Sequence, residues 1–371
     1  MLKLNKPDLV VTSHDLNLNP NLDCQGVEHT SPADKDSKFL GFALTKGAKI
    51  QPSSSSDFVR QPLLNYQYFY RIREACLYHF QLHEVLKPVS DTTLAYLHYN
   101  GIAAFNMANL QRRNLLSFRN LMSFDYSQKH AMISGVYSTN GHNYRTLLYS
   151  VRNSKFEFTD NVYVINNIIG KIDFVDFLSN RLFASGNAKY GSLIDMEKGF
   201  AETKIASQAF INNHEFNNDD RLIGMALDDS FVQISSENQK SLRDSVLFKA
   251  HKGWALGIKH LTGQVWASGG EDCAIKIWDI RNYSSPVKVI KDCFFVPVAF
   301  EYDQNKSMLF ALEMYGVLRA FQFSQGFMLE DSVKYTANSG GIVCNQKAKT
   351  LHISLTESKQ PGENGIMTLT Y

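Results

Sequence analysis

Residues 250 to 281 constrain the fold more than any other part of the chain. The segment opens on Ala250-His251 and runs through Trp254-Ala255-Leu256-Gly257-Ile258. It continues as Gln264-Val265-Trp266-Ala267-Ser268-Gly269-Gly270-Glu271-Asp272 and closes on Ile275-Lys276-Ile277-Trp278-Asp279. Runs of β-branched and aromatic residues separated by Gly, Asp and Asn write strands joined by tight turns. Three strands are encoded there.

The texture extends over most of the chain. From about residue 66 onward short apolar runs alternate with Gly, Asn and Asp, as in Leu94-Ala95-Tyr96-Leu97, Asn161-Val162-Tyr163-Val164-Ile165 and Ser307-Met308-Leu309-Phe310-Ala311-Leu312, with little helical periodicity. Residues 1 to 60 differ. They are rich in Asn, Asp, Ser and Lys, include the run Ser53 to Ser56, and read as a flexible polar extension broken by two short apolar islands, Leu9-Val10-Val11 and Phe39 to Leu44. The expected division is therefore an extension over 1–60 and one all-β domain over 61–371.

Charge excludes little and favours little. Lys plus Arg is 38 against 36 for Asp plus Glu, a net charge of +2, which gives no general reason to expect nucleic acid or an anionic membrane as partner. Cys24, Cys76, Cys273, Cys293 and Cys344 are scattered without a C-x-x-C pair, so neither a zinc site nor a disulfide framework is expected, and reduced thiols in the cytoplasm or nucleus fit them. The polar start MLKLNKPDLVVTSHD lacks the apolar core of a signal peptide, and no stretch approaches the length of a membrane span.

The 250–281 unit resembles a WD repeat, one four-stranded blade of a β-propeller: a His-led turn, a Ser-Gly strand end, a turn Asp and a terminal Trp-Asp fall in register. In the blade that this resemblance implies, His251 sits between Ser268 and Asp272, and Ser268 reaches Trp278, so that buried polar groups satisfy one another. The residue types are also those of a nucleophilic triad. No nucleophile elbow accompanies them, so the structural reading is taken and no catalytic residue, metal or cofactor is assigned.

Glycines before short strands mark further units. Gly101, Gly191, Gly316 and Gly365 lie 90, 125 and 49 residues apart, about two, three and one periods of a blade of about 40 to 45 residues. Seven units are expected, with the second around Met132 to Ser150, the fourth around Leu222 to Ser235 and the fifth on the clear repeat. Positive φ is expected at these glycines. Because Gly365 to Tyr371 matches the strand that ends in Trp-Asp, the last unit lacks its outer strand, and Tyr66 to Arg73 is the candidate donor, with Leu9-Val10-Val11 as the alternative.

Over residues 66 to 371 the chain also resembles a group of uncharacterised WD-repeat proteins of fungi and plants. The residues that carry this are Leu77 to Leu82, Phe210-Ile211-Asn212-Asn213-His214, Trp266 to Asp272, Ile277 to Asn282 and Pro286 to Lys291. That resemblance implies the fold and brings no activity with it.

Two clusters remain. His79 and His83 with Glu84 alternate with Phe80 and Leu82 as a strand edge does, and Arg112-Arg113 with Arg119, like Lys249, Lys252 and Lys259, reads as solvated surface. Trp278-Asp279-Ile280-Arg281 resembles the W-D-x-R string by which propeller substrate receptors engage the adaptor of cullin-RING ubiquitin ligases. The function expected is a non-catalytic scaffold for other proteins. The alternatives are such a receptor, with Trp278, Asp279 and Arg281 as adaptor contacts, or a propeller hydrolase or sugar-binding enzyme, which would need carboxylates or a metal converging at a central channel.

Overall fold

The computed structural model describes residues 29–30, 63–72, 85–117, 121–127, 132–138, 144–152, 155–158, 170–175, 178, 180–198, 201–239, 241–291, 293–324, 327–335, 337–356 and 364–371. The two apolar islands, Arg119, and His79, His83 and Glu84 lie outside them. Apart from a single 3-10 turn, Leu242–Asp244, the regular structure among these residues is all β.

Strand β1 (His29–Thr30) pairs with β2 (Asn65–Arg71). Six four-stranded antiparallel sheets follow in chain order. The first holds β3 (Leu86–Ser90), β4 (Thr93–His98), β5 (Gly101–Asn106) and β6 (Gln111–Ser117). The second holds β7 (Leu121–Ser127), β8 (Met132–Ser138), β9 (Tyr144–Arg152) and β10 (Lys155–Phe158). The third holds β11 (Ile172–Phe174), β12 (Arg181–Ala184), β13 (Tyr190–Asp195) and β14 (Ala201–Ala206). The fourth holds β15 (Ile211–Asn217), β16 (Leu222–Leu227), β17 (Phe231–Ser236) and β18 (Val246–Lys249). The fifth holds β19 (Ala255–Thr262), β20 (Val265–Gly270), β21 (Ala274–Asp279) and β22 (Lys288–Ile290). The sixth holds β23 (Pro297–Asp303), β24 (Met308–Glu313), β25 (Val317–Ser324) and β26 (Phe327–Lys334). The remaining sheet is of another kind: β27 (Asn338–Asn345), β28 (Thr350–Thr356) and β29 (Gly365–Thr370) are extended by β2 and β1 to five strands.

The spacing of glycines pointed to seven like units. Six four-stranded blades of a β-propeller are present among the described residues, and the last sheet is built from two distant parts of the chain. The segment named as donor supplies its outer strand, since β2 pairs antiparallel with β29 from Asn65↔Thr370 to Arg71↔Gly365.

First strands of successive sheets pack side by side, β15 against β19 and β19 against β23, so they form the inner ring. Five of them carry a bulge at their start, after Leu121, Ile211, Ala255, Pro297 and Ser339. A bulge adds twist and bends a strand where it enters the ring. The core lies in the seams between sheets. Ala226, Ile234 and Phe248 of the fourth sheet pack on Ile258, Trp266 and Trp278 of the fifth. Trp266 is wholly buried there, and Gly224 makes its place: a Cβ at Gly224 would lie 2.5 Å from Trp266 Cζ3.

Positive φ holds at two of the four glycines singled out, Gly101 (139°) and Gly316 (87°). Gly191 and Gly365 need glycine for space instead. A Cβ would lie 2.1 Å from the Phe183 ring at Gly191 and 2.4 Å from the Phe69 ring at Gly365.

Candidate functional site

Among the places that bring polar or reactive side chains together are the fifth sheet, the channel inside the inner ring and the two loop faces.

In the fifth sheet His251 leads the turn into β19, Ser268 stands on β20, Asp272 in the turn after it and Trp278 on β21. His251 Nδ1 lies 2.6 Å from Asp272 Oδ1 and His251 Nε2 lies 2.8 Å from Ser268 Oγ, while Trp278 Nε1 donates to the same Oγ over 2.9 Å. The four groups form a continuous chain of hydrogen bonds in which a neutral imidazole donates from Nδ1 to the carboxylate and accepts the Ser268 hydroxyl at Nε2. Burial lowers the His251 pKa, and Asp272 offsets that only in part. Lys276 Nζ adds a 2.9 Å bond to Asp272 Oδ2 and a 2.6 Å bond to the Ala250 carbonyl. Ser268 is 1% exposed and His251 2%, so no substrate reaches the hydroxyl. The trio is a buried hydrogen-bonded network within the fifth sheet.

Reasoning from the sequence named a central channel but placed no residue in it, and Lys259, read there as solvated surface, lies in its lining. A cavity of about 160 Å3 is lined by one stretch from every inner strand: Lys87, Asp125, Lys171 with Asp173, Glu215, Lys259, Glu301 and the apolar Ile342. Lys87 lies 3.0 Å from Asp173 and 3.6 Å from Asp125, Lys171 lies 3.0 Å from Asp173, and Lys259 bridges Glu215 (3.3 Å) and Glu301 (3.5 Å). Burial raises the Asp125 pKa against the pull of Lys87. For Asp173 burial acts the same way, but Lys171, Lys87 and His214 outweigh it and hold the carboxyl well below its usual range. Carboxylates therefore do converge here: Asp125, Asp173, Glu215 and Glu301 are engaged by Lys87, Lys171 and Lys259, and the surroundings of Asp125 and Asp173 push their pKa values in opposite directions.

In an antiparallel sheet the turn between second and third strands lies at one end, together with the connection to the next sheet. The other two turns lie at the opposite end. Eight large apolar side chains are exposed among the described residues. Five of them sit at the first end: Tyr99 and Tyr315 in second-to-third turns, Phe210, Trp254 and Phe294 in connections between sheets. They are 36% (Trp254) to 66% (Tyr99) exposed. Tyr315 adopts φ of 62°, a left-handed turn conformation that Cys273 shares in the corresponding turn of the fifth sheet. Leu242, Tyr283 and Val287 lie at the opposite end.

Solved structures share this architecture. A chain in the crystal structure of the mitotic checkpoint complex superposes with a TM-score of 0.68 at 12% identity, covering 87% of this chain and 97% of that one. The structure of U3-55K gives a TM-score of 0.62 at 10% identity, covering 79% and 97%. The chain is a β-propeller. At such identity the likeness concerns the fold alone. No protein-family model and no curated protein matches the sequence.

The string Trp278-Asp279-Ile280-Arg281 divides between core and surface. Trp278 is buried in the blade network, whereas the Arg281 side chain is 73% exposed at the end opposite the five aromatics. Its guanidinium folds back on Asp279, with Nη2 to Oδ2 at 2.6 Å and Nε to Oδ1 at 2.9 Å, which brings the Asp279 carboxyl down to about 2. Arg112 is likewise engaged, with Tyr96 and Asn114. Cys273, Cys293 and Cys344 are free thiols, and burial pushes Cys293 and Cys344 up to about 12.

Proposed function

We propose that this propeller is a protein-interaction platform whose docking surface is the end bearing Tyr99, Phe210, Trp254, Phe294 and Tyr315. The observation that carries the reading is the gathering of five exposed aromatic rings at one end. Aromatic side chains are enriched at interfaces because they bury a large area at small entropic cost. A structural neighbour comes from a complex, which supports the general role. In this reading the five-stranded sheet counts as the seventh, closing unit, residues 61–371 are one domain behind an extension over 1–60, and the protein works in the cytoplasm or nucleus. The resemblance to WD-repeat proteins of fungi and plants belongs to the same reading.

The exposed Arg281 favours a second reading, engagement of a cullin-RING adaptor through Asp279 and Arg281. One experiment separates the two. Affinity purification from native cells is expected to lose its partners with Phe210→Ala, Trp254→Ala and Tyr315→Ala combined, and to keep them with Arg281→Ala. Partners lost only with Arg281→Ala, the adaptor among them, favour the second reading. Partners indifferent to both sets sink the docking surface.

A further inference from the structure

One stretch of the aromatic end has a charge of its own. In the fourth sheet the Phe210 carbonyl accepts the Asp228 N–H (3.0 Å), and in the fifth the Trp254 carbonyl accepts the Glu271 N–H (3.0 Å), so the backbone of each aromatic residue is tied to that of an acidic residue at the equivalent place. The sixth sheet has the apolar pair Val296 and Met314 joined in that way. Asp229 follows Asp228, and Asn212 links the two sheets by donating to Asp228 Oδ1 (3.4 Å) and to the Ala255 carbonyl (2.9 Å).

The acids are held by neutral donors. Asp229 accepts from Gln208, and Glu271 Oε2 accepts the Trp254 N–H over 3.0 Å. Gly253 makes room for that carboxylate, since a Cβ there would lie 2.4 Å from Oε2. Among the described residues no Lys or Arg forms an ion pair with Asp228, Asp229 or Glu271; Lys252 stands in the same connection as Trp254, its N–H on Asp272, while Lys189 and Lys334 belong to the third and sixth sheets at this end. Lys334 already covers the Phe294 ring, 3.3 Å from its centroid. Burial raises the Asp228 pKa against the Asn212 hydrogen bond, and the neighbouring Glu271 and Asp229 add to the rise.

We propose that the seam between the fourth and fifth sheets binds a basic peptide segment, one Lys or Arg side chain lying between Phe210 and Trp254 and facing Asp228, Asp229 and Glu271. The inference rests on the docking surface proposed above and names its partner's chemistry. Exposed rings give apolar contact and a face for a cation, and the carboxylates supply the opposite charge.

The probe is a random peptide display library selected on the intact chain at low salt. Enriched sequences are expected to contain Lys or Arg and to bind about tenfold more weakly to Asp228→Asn with Glu271→Gln, and to Trp254→Ala, than to the unaltered chain, with affinity falling as salt is raised. The amide variants keep the acceptor oxygens that Asn212 and the Trp254 N–H use, so an unchanged melting temperature is expected. Arg281→Ala leaves binding unchanged. Enrichment of acidic or wholly apolar peptides, no enrichment, or basic peptides indifferent to these substitutions overturns the proposal. If partners are still lost with the triple alanine variant in those cases, the platform reading stands and only its basic ligand falls.

Discussion

Deletion of residues 65–72, which removes β2 and the following Ile72, is expected to leave a chain without a cooperative unfolding transition. The strand lies far in sequence from everything it holds. Phe69 packs into the cluster of Phe310, Leu318, Ile353 and Met367, which belongs to the sixth and the five-stranded sheets. Tyr70 and the following Ile72 pack with Leu86, Tyr96 and Phe105 of the first sheet, the Tyr70 and Phe105 rings lying 5.2 Å apart. β2 thus seals both sides of the sheet that closes the ring, and its loss also strips the hydrogen-bonding edge of β29. Burial of three large apolar side chains contributes on the order of 6 kcal/mol, against about 5–15 kcal/mol for a whole domain. Thermal unfolding followed by circular dichroism checks this. A deleted chain that melts where the intact one does contradicts closure by β2.

Asp272→Ala is expected to destabilise the propeller by about 3 kcal/mol, near the lower end of what removing one partner of a buried ionic pair costs. The carboxylate holds His251 Nδ1, Lys276 Nζ and the Lys252 N–H, and its side chain is 11% exposed, so water replaces little of this. Asp272→Asn keeps an acceptor for His251 and is expected to cost less. Although burial alone would raise it, the Asp272 pKa is depressed by His251 and Lys276. Its stabilisation is therefore fully present above about pH 4, the unfolded value, and is lost as the pH falls through the folded value. Denaturant melts of both variants at neutral pH measure the difference. Equal stability of Asp272→Ala and the unaltered chain would remove the network from the account of the blade.

The fifth sheet was legible in the sequence because its register is fixed by side chains that find one another over a few tens of residues. The other sheets keep the geometry with different chemistry. Lys276, the third residue of β21, bonds the Ala250 carbonyl, and Gln233, the third residue of β17, bonds the Ala206 carbonyl in the same way. In the sixth sheet Arg319 holds that position and engages Glu330, the Cys293 thiol (3.2 Å) and Glu313 (3.6 Å). A lysine, a glutamine and an arginine share no pattern, so matching residue types along the chain recovers only one of the three. The closing strand was readable because Gly365 to Thr370 matches the third strand of a blade, whose outer edge takes a further strand. The channel charges were not, since Lys87, Asp173, Glu215 and Lys259 sit on different strands and meet only when the ring forms. Single aromatics in turns, such as Phe210 and Tyr315, were invisible as a group for the same reason.

Hydrogen exchange of the chain with and without a partner recovered by affinity purification tests the central claim most directly. The account predicts protection of the connections and turns carrying Phe210, Asp228, Trp254, Glu271 and Tyr315, with residues 280–287 at the opposite end exchanging as in the free chain. Protection confined to residues 280–287 would contradict it.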